Sequence, residues 1–195
     1  MFGNQTEKAE TAHERRAREF EELRAEIEAM AEVTLDLEPG ELYFPSIYKP
    51  VSPGNVPDMP ANYGLTLPAG KLLPVVDGLV AGWLLGSLKP PTKYVEFDSL
   101  HVRSRARPRV YTIGLDGTED SRADLRRLSE DLEVLDAQNR PRDHLFLGRR
   151  VRVTIQPYAY WSNQYGSAPV DRMGVGLGLR RVGVWAGEAY DGQAR

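Results

Sequence analysis

The run Met173-Gly-Val-Gly-Leu-Gly-Leu179 alternates an aliphatic side chain with a bare glycine. A period of two belongs to a β-strand, where successive side chains point to opposite faces. The face carrying Met173, Val175, Leu177 and Leu179 must be buried. The other face, Gly174, Gly176 and Gly178, is naked backbone. Glycine weakens a strand interior, so a row of it marks a place where something comes close to the sheet. A second chain, a nucleobase and a large aromatic side chain all fit. A chain built around such a strand is committed to a sheet.

Further segments read the same way. Val151-Arg-Val-Thr-Ile155 alternates cleanly. Tyr94 to Ile113 reads as a hairpin or one long bent strand, with Pro108 at an edge or a bulge. Tyr43 to Pro50 reads as an edge strand that breaks up, Val51 to Pro60 as a loop, and Tyr63 to Leu67 as a strand ending at Pro68. Ser162 to Arg172 reads as a turn-rich linker into a last strand, Met173 to Trp185. Two segments carry helical spacing. Residues 6–34 are rich in helix formers, with Thr6 as cap and Pro39-Gly40 beyond the end. From Ser121 onward, Leu125, Leu128, Leu132 and Leu135 step by three, four and three. Gly70 to Leu88 fits either a buried helix or two strands. The predicted class is mainly β (α+β), a small antiparallel barrel or sandwich with one internal helix.

Charge divides the chain. Residues 1–42 hold five basic and twelve acidic side chains, net −7; the remainder holds twenty and sixteen, net +4. We expect an acidic helical extension over 1–41 and a mildly basic domain over 42–195. The extension's apolar positions Phe20, Leu23, Ile27 and Met30 form a narrow seam. That seam suits docking on the chain's own domain or self-association with another copy. No cysteine is present, so disulfides and thiolate metal sites are excluded. The acidic N-terminus gives no signal peptide, and the apolar run Gly78 to Leu88 is too short to span a bilayer, so a cytoplasmic location is expected.

Catalytic patterns are missing. His13, His101 and His144 are scattered, and no nucleophile elbow, HExxH motif or phosphate loop occurs. Gly174-Val-Gly-Leu-Gly178 lacks a correctly spaced third glycine and the following helix of a dinucleotide fingerprint. Neither an enzymatic activity nor a cofactor is expected.

Binding patterns are better represented. Arg103, Arg105, Arg107 and Arg109 recur at every second position, so in an extended segment they share one face at about 6.6 Å spacing. Such a row can follow a phosphate backbone, or simply guard an edge strand against aggregation. Tyr158, Tyr160, Trp161 and Tyr165 follow a strand bearing Arg150 and Arg152. Interleaved rings and cations suit the stacking of unpaired bases, although rings also serve as core. Strand alternation places Arg152, Thr154, Tyr158 and Tyr160 on one face, provided Pro157 introduces no bulge. Arg180 and Arg181 border the glycine strand.

The segments Arg150-Val-Arg-Val-Thr-Ile-Gln-Pro-Tyr-Ala-Tyr160, Gly174-Val-Gly-Leu-Gly-Leu-Arg-Arg-Val182 and Gly187-Glu188 together resemble bacteriophage single-stranded-DNA-binding proteins of the OB-fold type. Leu42 to Pro68 is similar to that family's first hairpin. The resemblance spans about residues 42–70 and 143–190 and leaves the arginine stripe outside it. It implies an OB-fold-like barrel and non-enzymatic, sequence-tolerant binding of single-stranded DNA in phage replication or recombination, in the host cytoplasm. It carries Tyr158 and Tyr160 over as binding residues. With the arginines, the expected nucleic-acid-binding set is Arg103, Arg105, Arg107, Arg109, Arg150, Arg152, Tyr158, Tyr160, Trp161 and Arg180. The competing reading is a virion or scaffold protein assembling through its N-terminal helix.

Overall fold

The computed structural model describes residues 10–52, 60–87, 99–120, 146, 148–165 and 168–185. Its strands are β1 (Val33–Leu37), β2 (Tyr43–Val51), β3 (Asn62–Pro68), β4 (Ser99–Ser104), β5 (Arg109–Ile113), β6 (Glu119–Asp120), β7 (Val151–Tyr165) and β8 (Ala168–Trp185). Helices α1 (Ala12–Ala29), α2 (Ala69–Leu72) and α3 (Gly78–Ser87) complete it, with a 3-10 turn at Leu73–Val75. The protein is mainly β, as expected.

All eight strands belong to one sheet, ordered β1-β7-β8-β4-β3-β2, with β5 also on β8 and β6 on β5. Among the described residues the path ends at β1 and β2 without joining them, so the sheet is open rather than a closed barrel. Nor is it wholly antiparallel, because β8 pairs in parallel with both β4 and β5. Parallel neighbours need a long connection, and residues 121–167 separate β6 from β8.

The frame is the β7–β8 hairpin, which stays paired from Val151↔Val184 to Tyr165↔Ala168. Over its described part, residues 162–165 and 168–172, the expected linker is therefore strand, with the backbone of each arm satisfied by the other. On β8, Arg180 is an extra residue between the pairs Thr154↔Arg181 and Ile155↔Leu179. This bulge keeps Val182 and Val184 on the same face as Val175, Leu177 and Leu179. All five are buried with Val151, Val153 and Ile155 of β7. Pro157 introduces no bulge into β7, whose register runs through it.

Helix α1 starts at a capping box in which Thr11 and Glu14 exchange side-chain and backbone hydrogen bonds. The expected helix is shorter than its pattern at both ends, with Thr11 rather than Thr6 as its cap. It stops at Met30, and Val33-Thr-Leu-Asp-Leu37 turns to period two and pairs with β7. Of the two uses read for the seam, docking on the chain's own domain is the one the structure shows. Leu23 and Ile27 are 3 % and 1 % exposed in the core, Met30 packs against it, and Phe20 meets Trp161. Pairing of two copies through this seam would require the helix to undock. The stretch left open between helix and strands is helical, with Leu72, Val76, Val80 and Leu84 buried. The helix expected from Ser121 lies outside the described residues. No helix among the described residues is long and apolar enough to cross a membrane.

Candidate nucleic-acid interface

With the aliphatic rows buried, every second residue of the central strands faces outward. One cross-strand row is Ser46–Gly64–Arg103–Gly178–Gln156, running across β2, β3, β4, β8 and β7. Arg103 thus stands in the middle of the sheet with a glycine on either side. A Cβ added at Gly64 would lie 2.7 Å from the Val102 carbonyl oxygen, so β3 and β4 approach closely there.

The glycine strip is covered by the chain's own tyrosine. Tyr158 pairs with Gly176 and lies across the strip, so a Cβ on Gly176 would fall 2.8 Å from its Cε1 and 2.6 Å from its Oη. A Cβ on Gly178 would lie 3.6 Å from Cδ1 of the same ring. The side chain is nevertheless 46 % exposed. A ring seated on backbone with one side open to solvent is a flat aromatic platform. Tyr160 is opposite Gly174, one step along the same face, and is half-buried.

The arginine stripe is broken in the middle. Between Arg103↔Gly178 and Arg109↔Arg181, β4 and β5 advance six residues while β8 advances three. The surplus is extruded as a bend holding Arg105 and Arg107, beside the bulge that presents Arg180. Tyr94 to Ile113 is thus, over its described part, the long bent strand, with the bend ending at Pro108. Arg107 places its guanidinium 5.1 Å from the ring centre of Tyr48 on β2, tethering the bend. Arg103, Arg105, Arg107, Arg109 and Arg180 are all exposed, and none has a carboxylate partner among the described residues.

The arginines beyond the bulge are held internally. Arg152 makes a two-pronged contact with Asp36, 2.8 and 3.0 Å, and Arg150 lies 3.7 Å from Glu38. Both guanidinia stack on Trp185, at 4.2 Å for Arg150 and 5.2 Å for Arg152. Arg181 is bonded to Glu119 and lies over Tyr111. Tyr111, Ile113 and Trp185 form a small second core here, packed on Gly183. The Arg152 hydrogen bonds hold the Asp36 carboxyl below its ordinary value, against the opposing effect of burial. Trp161 faces the helix, its ring 5.5 Å from Phe20 and 5.6 Å from His13.

Of the ten residues proposed from sequence, the register puts Arg103, Tyr158 and Tyr160 on one face, while Arg105 and Arg107 are exposed on the bend, Arg180 at the bulge and Arg109 beside Arg181. Arg150, Arg152 and Trp161 do not join them. Sequence reasoning passed over His101, two residues before Arg103 on the same face, whose Nδ1 lies 2.6 Å from Thr66 Oγ1. Desolvation, and then the charge of Arg103, lower its pKa.

No protein-family model matches this chain, and no curated protein does. Among solved structures, the single-stranded DNA-binding protein from bacteriophage Enc34 in complex with ssDNA is similar at a TM-score of 0.45 and 14 % identity. That match covers 82 % of this chain and 89 % of the other. Gp2.5, a single-stranded DNA binding protein encoded by bacteriophage T7, is similar at a TM-score of 0.33 and 12 % identity, over 84 % of this chain and 99 % of that one. These likenesses are loose, and the functional reading rests on the residues of this chain.

Proposed function

We propose that the protein binds single-stranded DNA without strong sequence preference, serving replication or recombination as the motif resemblance implies. The binding unit is residues 42–195, and the extension over 1–41 acts as a buttress through its described part, where α1 docks on the sheet and β1 extends it. The observation that carries this reading is the neighbourhood of one ring and one set of charges. Tyr158 offers an open π-face seated on Gly176 and Gly178, and Arg103 occupies the next row of the same face. Every base has a π-face, so stacking on tyrosine tolerates any sequence, and arginine supplies the phosphate contact. A base in a duplex is already stacked and paired, which favours single strands here.

Binding in this way requires no catalytic group. The scaffold alternative loses its support, since the helix seam it needs is buried on the chain's own sheet.

The test is titration of a fluorescent dT oligomer and a matched duplex at two salt concentrations. The single strand should bind more tightly, with affinity falling as salt rises. Equal or tighter binding of duplex would refute the reading.

A further inference from the structure

The β2 edge of the sheet, across from Tyr158, carries a second pair of exposed rings. Tyr43 opens β2 and pairs with Thr66, which pairs in turn with His101. Leu65 and Leu67 point into the core, so Thr66, itself covered by its neighbours at 8 % exposed, belongs to the opposite face with the residues aligned to it. Tyr43 is 47 % exposed and Phe44 is 82 % exposed. The register of β2 shifts between Tyr43 and Ser46, and within that irregularity Phe44 adopts a φ of +46°. Left-handed backbone is costly for a residue with a Cβ, and Pro45 restricts its predecessor further towards extended backbone. A bulge re-aims a side chain, and here it carries a phenylalanine out into solvent. Single exposed apolar residues are ordinary, but an exposed aromatic held by strained backbone beside a second exposed ring is a feature the fold maintains against a cost.

We infer that Tyr43 and Phe44 form a second stacking contact for the nucleic acid, so that the strand crosses the sheet from β7 to β2. This rests on the single-strand-binding reading above and adds its path. Four inter-strand gaps separate β7 from β2, roughly 19 Å. At the 3.4 Å per nucleotide of a stacked strand that is about six nucleotides, and fewer if the strand is extended. Arg103 lies midway and meets the backbone between the two aromatic stations. A path along the β7–β8 hairpin would pass Tyr158 and Tyr160 but never reach Phe44.

The experiment compares Phe44→Ala, Phe44→Gly and Tyr158→Ala on two dT oligomers. One is about ten nucleotides long, and the other is the shortest that the parent protein holds measurably. Glycine accepts a positive φ freely, so Phe44→Gly removes the ring without adding backbone strain. Both Phe44 variants should bind the longer oligomer roughly 5- to 150-fold more weakly and the short one as the parent does. Tyr158→Ala should weaken both. If Phe44 variants hold the longer oligomer normally while Tyr158→Ala weakens it, the crossing path is wrong and the binding face stands. Equal losses on both lengths would also overturn the crossing path. If Tyr158→Ala and Arg103→Ala both bind as the parent does, the underlying reading fails, and the path fails with it.

Discussion

The ring of Tyr158 lies on the backbone of Gly176, so closely that no side chain could stand between them. The glycine strip is what allows an aromatic residue on a twisted sheet to lie flat and keep its far side in solvent.

Gly176→Ala should lift that ring. The atoms a Cβ would meet are the far end of a side chain that can swing away, so stability should fall by less than about 1 kcal/mol. Oligonucleotide affinity should drop nonetheless. Gly183→Ala provides the contrast. There a Cβ would fall 2.7 Å from Tyr111 Cζ and 2.8 Å from Ile113 Cδ1 within a packed cluster. Overpacking of this kind costs about 1–3 kcal/mol. Thermal melts and titrations of the two variants separate the roles.

The two groups of arginines should separate in the same manner. Arg103→Ala with Arg105→Ala should flatten the dependence of log K on log salt by roughly 0.7 for each phosphate that is no longer neutralised. Arg152→Ala should leave that slope unchanged and lower stability by about 1–2 kcal/mol, since it strips Asp36 of its two-pronged partner and Trp185 of one of its two guanidinia. A slope altered by Arg152→Ala, with the fold intact, would place DNA on the wrong part of the face.

In sequence these two groups look alike. Arg150 and Arg152 are as basic and as regularly spaced as Arg103 and Arg105. What distinguishes them is Asp36, 116 residues away, and Glu38, on a short strand and the turn after it. That strand was hidden because its five residues follow a long helical pattern without a glycine or proline before Pro39. The bareness of Gly174, Gly176 and Gly178 was legible, as was the aliphatic row between them, because both follow from a period of two. Which ring covers the strip was not, since that depends on the β7–β8 register. The helix seam was legible as a pattern, but its partner is a sheet surface assembled from distant strands.

Acid should reveal the Asp36–Arg152 pair. Asp36 has a lowered pKa in the folded protein. Its contribution is therefore complete above the ordinary carboxylate value and is lost as pH falls through the lowered folded value. Unfolding midpoints followed from about pH 5 to about pH 2 should fall less steeply in Asp36→Asn than in the parent. Parallel curves would remove Asp36 from the account.

His101 should couple binding to pH in the opposite direction. The imidazole is held below its ordinary value in the free protein. A phosphate beside Arg103 would raise it, so the complex takes up protons that the free protein does not. Affinity should therefore rise as pH falls from about 7.5 to about 5.5, and His101→Asn should abolish the rise. A pH-independent affinity in the parent would place the phosphate elsewhere.

Leu23→Asp tests the helix. A buried carboxylate in the seam should cost several kcal/mol, about the order of losing a well-packed core side chain. The unfolding midpoint of the parent should not move with protein concentration on account of this seam. A fall in mass by light scattering at unchanged stability would instead restore the seam to an assembly role.

The most direct test of the central claim is where a single strand touches the protein. An iodouracil-substituted oligonucleotide, irradiated in the complex and digested for mass spectrometry, reports the rings its bases lie against. The account predicts attachment at Tyr158 in the β7 peptide, suppressed by Gly176→Ala and by excess unlabelled dT oligomer. Attachment confined to Tyr111 and Trp185, or yields no greater than those with duplex, would contradict it.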